Sequence, residues 1–218
     1  MREFNITRDP NECGNLYYRS KVVFEPGLTV LVGCNGCGKT TLINQIKRRL
    51  DKEDIPFVYY DNLHDGGSRS RERAGFYGDI AFLATSMCSS EGENIVMNMG
   101  NMARQMGSLS RKYPDAKELW FLFDAIDSGL SVDNVVDIKE YLFKTVLEHN
   151  VGKDVYFLVA ANAFEFCRNE KCFDTYLCKY VDFKSYDEYR EFILKSRERK
   201  DKREENYRKK HKNDEDYF

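Results

Sequence analysis

A chain of 218 residues can bury one good core, and a prior of roughly 100 to 200 residues per domain points to one domain with an appendage. Its 34 Lys and Arg against 36 Asp and Glu give a formal net charge of -2, which excludes a global pull toward nucleic acid or acidic lipid. A polar opening, "MREFNITRDP", no apolar run near the ~18 residues of a membrane helix, and an odd count of 7 cysteines point to a cytoplasmic protein with reduced thiols and no membrane partner.

In chain order, "LYYRSKVVFEPGLTVLVG" predicts two strands around a turn at Pro26-Gly27, and the run Leu28 to Val32 is apolar enough to be buried on both faces. A glycine-bearing loop leads into "KTTLINQIKRRL", whose Leu42, Ile43, Ile46 and Leu50 share one helical face. "IPFVYYD" is the next strand, and "NLHDGGSRSRERAGFYGD" reads as an exposed rim loop. The segment after "SSEGE" carries Ile95, Met99, Met102 and Met106 at helical spacing, a stripe best read as core-facing. "ELWFLFD", the turn "AIDSGLS", a helix through "VDNVVDIKEYLFKTVLEHN" and the strand "DVYFLVAAN" follow. Apolar strands alternating with amphipathic helices indicate an α/β fold with a mostly parallel sheet, and the ligand then belongs at the strands' carboxyl ends. The sheet domain is expected over 1–183 and a charged helical C-terminal extension over 184–218. From Lys195 onward that extension reads either as a solvated, fraying helix or as a basic arm that meets nucleic acid or a partner.

"GCNGCGKT", Gly33 to Thr40, satisfies G-x-x-x-x-G-K-S/T between a buried strand and a helix. The binding residues are Gly33, Asn35, Gly36, Cys37, Gly38, Lys39, Thr40 and Thr41. Glycines let the backbone wrap a β-phosphate, amides at a helix N-terminus favour anions, and Lys39 reaches the β/γ-phosphates. The Thr40 hydroxyl is the expected Mg²⁺ ligand, and ATP with Mg²⁺ the expected cofactor pair. Cys34 and Cys37 form a C-x-x-C, but their place inside this loop makes phosphate binding the stronger reading than a redox pair.

The longer string "FEPGLTVLVGCNGCGKTTLINQI" resembles the ABC ATPases, and within them the SMC-like, double-strand-break-repair branch with its G-x-N-G-x-G-K-S/T loop. The resemblance implies a small, stand-alone P-loop ATPase core of bacterial or phage type, without a long coiled coil. It further implies a head-to-tail homodimer closing over two Mg-ATP molecules, and a signature in which one chain meets the other's γ-phosphate. "SSEGE" looks like a degenerate L-S-G-G-Q/E signature, with Ser90, Gly92 and Glu93 matching and Ser89 and Glu91 departing. An ordinary capping box, Ser90 with Glu93, is the competing explanation.

Asp124 ends "LWFLFD" where the family's Walker B Asp holds Mg²⁺, and "DSGLS" resembles its D-loop. The water-polarising glutamate is replaced by Ala125. Three explanations stand: Asp127 orients water from a shifted geometry, the chain is a slow ATPase or a pure ATP-operated switch, or Ala125 was introduced to trap ATP. Asn162 occupies the place of the family's switch histidine and can hydrogen-bond but not carry charge. Lys39, Asp127 and Asn162 are therefore the catalytic candidates, Thr40 and Asp124 the metal ligands, and Asp61 with Asn62 weaker candidates for a metal or water contact. Tyr17-Tyr18 is a candidate adenine-stacking pair. The implied activity is slow, ATP-dependent and linked to nucleic-acid processing or phage and defence biology.

Overall fold

A computed structural model of the chain describes residues 1–7, 16–61, 91–128 and 130–211, with the backbone alone described over 91–99 and 210–211. Two short strands, β1 (Arg2–Asn5) and β2 (Lys21–Phe24), pair antiparallel apart from the main sheet. Then come β3 (Gly27–Val32), α1 (Lys39–Lys52), β4 (Phe57–Asp61), α2 (Glu91–Lys112) and β5 (Glu118–Asp124). Helix α3 (Val132–Asp137) runs through a π-helical stretch, Ile138–Phe143, into α4 (Lys144–Glu148). Strand β6 (Asp154–Ala160), the single turn α5 (Phe164–Cys167), β7 (Lys171–Asp174), β8 (Lys179–Val181) and the long α6 (Tyr186–His211) complete it.

Among the described residues the main sheet has six strands in the order β4-β5-β6-β3-β7-β8, parallel throughout except for the antiparallel edge strand β8. The expected mostly parallel sheet flanked by helices is therefore observed. The turn at Pro26-Gly27 does not fold its flanking strands onto each other: β2 joins β1, while β3 enters the sheet between β6 and β7.

Period-two alternation assigns each strand's side chains to two cores. Leu119, Phe121 and Phe123 of β5, with Val155, Phe157 and Val159 of β6, face Met102 and Met106 of α2 and Val135, Ile138, Phe143 and Val146 of the α3–α4 helix. The two described members of the methionine stripe are thus core residues. On the other face Trp120, Leu122, Tyr156 and Leu158 pack on Leu42, Ile43, Ile46 and Leu50 of α1 and on Phe4 and Phe24 of the β1–β2 pair. Trp120 and Tyr156 stack with centroids 4.1 Å apart, and the edge of Phe4 meets Trp120 at 5.2 Å. Among the described residues, no helix is long and apolar enough to cross a membrane.

Phe157 is central to the first core, 4.5 Å from Phe143 and 4.9 Å from Phe121 between ring centroids. Phe157→Ala is expected to cost about 3–5 kcal/mol in urea denaturation, against less than about 0.5 kcal/mol for Tyr141→Ala at an exposed position. A Phe157→Ala loss below about 1 kcal/mol would refute this packing.

Candidate functional site

The loop Gly33 to Gly38 leaves the carboxyl end of β3 and delivers α1 at Lys39. Gly38 occupies the N-cap at φ 101° and supplies no side chain, so the first amides of α1 have no side-chain cap. Two contacts explain why glycine is needed here. A methyl group on Gly33 would lie 2.5 Å from the Cys37 sulfur, and one on Gly38 would lie 3.2 Å from the Tyr17 ring. Tyr17 is fully buried and donates its hydroxyl to the Gly38 carbonyl at 2.8 Å, supporting the loop from beneath. Its neighbour Tyr18 is exposed. Lys39 curls back, its ammonium donating to the carbonyls of Gly33 at 2.8 Å and Cys34 at 3.4 Å.

Asp124 closes β5 in register with Asp61 of β4 on one side and Ala160 of β6 on the other. Burial raises its pKa, the hydroxyl of Thr40 opposes this by hydrogen bonding to the carboxylate, and the nearby charges of Asp61 and Lys39 act in opposite directions. Oxygen donors on two neighbouring strands and a helix N-terminus suit a hard divalent cation. Among the described residues no group of three or more His, Cys, Asp or Glu could hold a metal, so such a cation would need phosphate or water oxygens to complete its shell. A cleft of about 330 Å³ lies between Asn35 to Thr41 and the residues Asp124, Ala125, Ala160 and Asn162.

Beyond Asp124 the chain turns sharply, with Ala125 at φ 52° and the Ser128 amide donating to its carbonyl at 3.1 Å. Asp127 does not line the cleft. Its Oδ2 accepts the amides of Asn162 and Ala163, both at 2.6 Å, while its Oδ1 is buried without a hydrogen-bond partner among the described residues. The Asn162 carbonyl in turn accepts the Tyr189 hydroxyl at 2.6 Å. Lys39, Thr40, Asp124 and Asn162 thus converge, and Asp127 fixes the backbone of Asn162 from behind. Gly92 and Glu93 fall in the first turn of α2, described by its backbone alone. Ser90, Asn62 and the rim-loop residues His64, Asp65, Arg69, Arg71 and Arg73 lie outside the described residues.

Sequence reasoning missed the contribution of α6. Its Ser196 hydroxyl oxygen accepts the Cys34 amide at 3.2 Å, Lys200 lies 3.1 Å from where a methyl on Gly36 would stand, and Arg203 donates to the Leu16 carbonyl at 3.3 Å. Arg199 pairs with the buried Asp174 at 3.3 Å, anchoring the helix at the end of β7. Tyr189, Ile193, Ser196, Lys200 and Arg203 recur at three- and four-residue spacing, so the stripe exists in the sequence. It turns from apolar to polar along its length, which is why a hydrophobicity pattern ends near Leu194. A second cleft, of about 590 Å³, lies between α6 and the outer side of the phosphate loop.

Residues 21–147 match the family described as an AAA domain, a span that covers more than half of the chain and holds both the phosphate loop and Asp124. The chain belongs to that family and carries a P-loop, nucleotide-binding ATPase-type domain. The matched span ends before Asn162 and α6. No curated protein matches the chain.

Because burial holds the Asp124 pKa above its unfolded value, the ionised carboxylate costs stability as pH rises through the raised pKa. Asp124→Asn is therefore expected to raise the melting temperature of the nucleotide-free protein at pH 7. The gain should shrink as pH falls below the carboxylate range, and a lower melting temperature at pH 7 would contradict the assignment.

Proposed function

We propose that this member of the AAA-domain family is an ATP-binding, slowly hydrolysing ATPase of the ABC-like kind that dimerises head to tail over Mg-ATP. The observation that carries the reading is the convergence of Lys39, Thr40 and Asp124 on the uncapped N-terminus of α1. The amides from Gly36 to Thr40 bind the β-phosphate, and Lys39 exchanges its loop carbonyls for the β/γ-phosphates. Thr40 and Asp124, which line the same cleft, are the residues that would hold Mg²⁺. When bound, Mg²⁺ neutralises charge on the phosphate chain.

Slow turnover follows from the side chains around the cleft. Ala125 has no proton affinity, and Asn162 can orient a water but cannot take its proton. Asp127, with Oδ2 committed to two amides, acts as a positioning residue for Asn162. These features also favour the alternative reading, an ATP-operated binding switch in which hydrolysis is incidental. The signature residues Ser90, Gly92 and Glu93 would complete the partner's site in the dimer. The exposed Arg190 and Arg197 of α6 are the starting points for nucleic-acid contact.

Ala125 already occupies the left-handed region, and a glutamate shares its backbone sterics, so Ala125→Glu adds a base without adding backbone strain. Steady-state phosphate release is expected to be slow in the wild type, absent in Lys39→Ala, and at least about tenfold faster in Ala125→Glu. Wild-type turnover no higher than that of Lys39→Ala would leave the switch. For assembly, light scattering is expected to give a dimer with ATP and a monomer with ADP. A monomer under both conditions would remove the dimer from the account.

A further inference from the structure

The phosphate loop contains a second chemistry that phosphate binding does not use. The Cys37 amide donates to the Cys34 carbonyl at 3.2 Å, closing a four-residue turn. Such a turn holds its end Cα atoms within ~7 Å, which overlaps the separation a disulfide spans. Both thiols are buried, at 6 % and 4 % exposure. Cys34 nevertheless lines the 590 Å³ cleft, whose α6 wall carries Arg190, Arg197 and Lys200, a setting that attracts an anionic oxidant.

We propose that Cys34 and Cys37 are a reversible dithiol–disulfide pair, oxidised by low-molecular-weight disulfides entering through the α6 cleft, and that the disulfide form of the loop loses its grip on phosphate. The roles of the two sulfurs differ. A hydrogen bond from the Cys37 thiol, against the opposing effect of burial and with help from the Ser196 hydroxyl and the charges of Lys200 and Lys39, lowers the Cys34 pKa to about 6. The same hydrogen bond and burial hold Cys37 well above the ordinary thiol range. Cys34 is the attacking thiolate and Cys37 the resolving thiol. With glutathione disulfide, the Cys34 thiolate attacks one sulfur, forming a mixed disulfide and expelling one glutathione thiolate. That thiolate takes the Cys37 proton. Cys37 then attacks the Cys34 sulfur and expels the second glutathione thiolate, which is protonated by water, so two electrons pass from the protein pair to the reagent.

The effect on phosphate follows from packing. The Cys37 sulfur lies 2.5 Å from where a methyl on Gly33 would be, against the start of the loop. Closing an S–S bond of ~2.05 Å at this position would draw on the loop backbone that carries the converging amides. This consequence rests on the proposed function, whereas the disulfide itself does not.

The test uses the full chain equilibrated in glutathione redox buffers, then quenched and digested with trypsin. The peptide spanning 22–39 holds Cys34 and Cys37 and no other cysteine. It is expected to lose two hydrogens in oxidising buffer, and affinity for a fluorescent ATP analogue to fall at least about tenfold, both reversed by dithiothreitol. In Cys37→Ser, Cys34 should instead stop at the glutathione mixed disulfide. A peptide that stays reduced throughout the titration, or a mapped disulfide with unchanged nucleotide affinity, overturns the proposal. Reduced wild type that binds no nucleotide refutes the proposed function instead, and the peptide mass alone then decides the pair.

Discussion

The parallel register of the central strands is the constraint on which the site depends. It places Asp61, Asp124, Ala160 and Leu31 in one row across the carboxyl edge of the sheet. Because β6 lies between β3 and β5, the phosphate loop and the Asp124 carboxylate are separated by two strand spacings, roughly 10 Å in all. Ala160 stands in the gap with a side chain too small to fill it, and the cleft is the result. The first turn of α1 lies at the same gap, and the Thr40 hydroxyl there counters the effect of burial on the Asp124 pKa.

Polar groups at this edge are held in arrangements a phosphate chain can replace. Lys39 is satisfied by the carbonyls of its own loop, the α1 amides lack a side-chain cap, and Asp124 carries a carboxylate that burial disfavours. Each arrangement is adequate in isolation and improves when anionic oxygens and a cation arrive together. The apolar cores on both faces of the sheet hold these groups in position.

Much of this was legible in the sequence, for physical reasons that can be named. The loop motif, the buried strand before it and the apolar strand ending in Asp124 are local patterns, and local patterns survive into the fold unchanged. The unbroken apolar run in "ELWFLFD" marked a buried strand, and both its faces are covered. Strand order was not legible, since nothing local says that β6 enters between β3 and β5. The four-residue β7 and three-residue β8 are too short to carry periodicity. Asp127 illustrates a subtler limit: its proximity to Asp124 in sequence suggested the cleft, while its carboxylate turns to the amides of Asn162 and Ala163. In α6 the packed stripe includes Ser196, Lys200 and Arg203, residues whose polarity conceals a buried face from any hydrophobicity pattern.

Helix α6 also links the separate parts of the site. Through Tyr189 it holds Asn162, through Ser196 and Lys200 it lies on the phosphate loop, and through Arg199 it is tied to β7. The most direct test of the central claim is calorimetric titration of the reduced chain with ATP, with and without Mg²⁺. The account predicts saturable binding of one ATP per chain that Mg²⁺ strengthens in the wild type but not in Asp124→Asn. Binding that ignores Mg²⁺, or that Asp124→Asn leaves equally Mg²⁺-dependent, would contradict it.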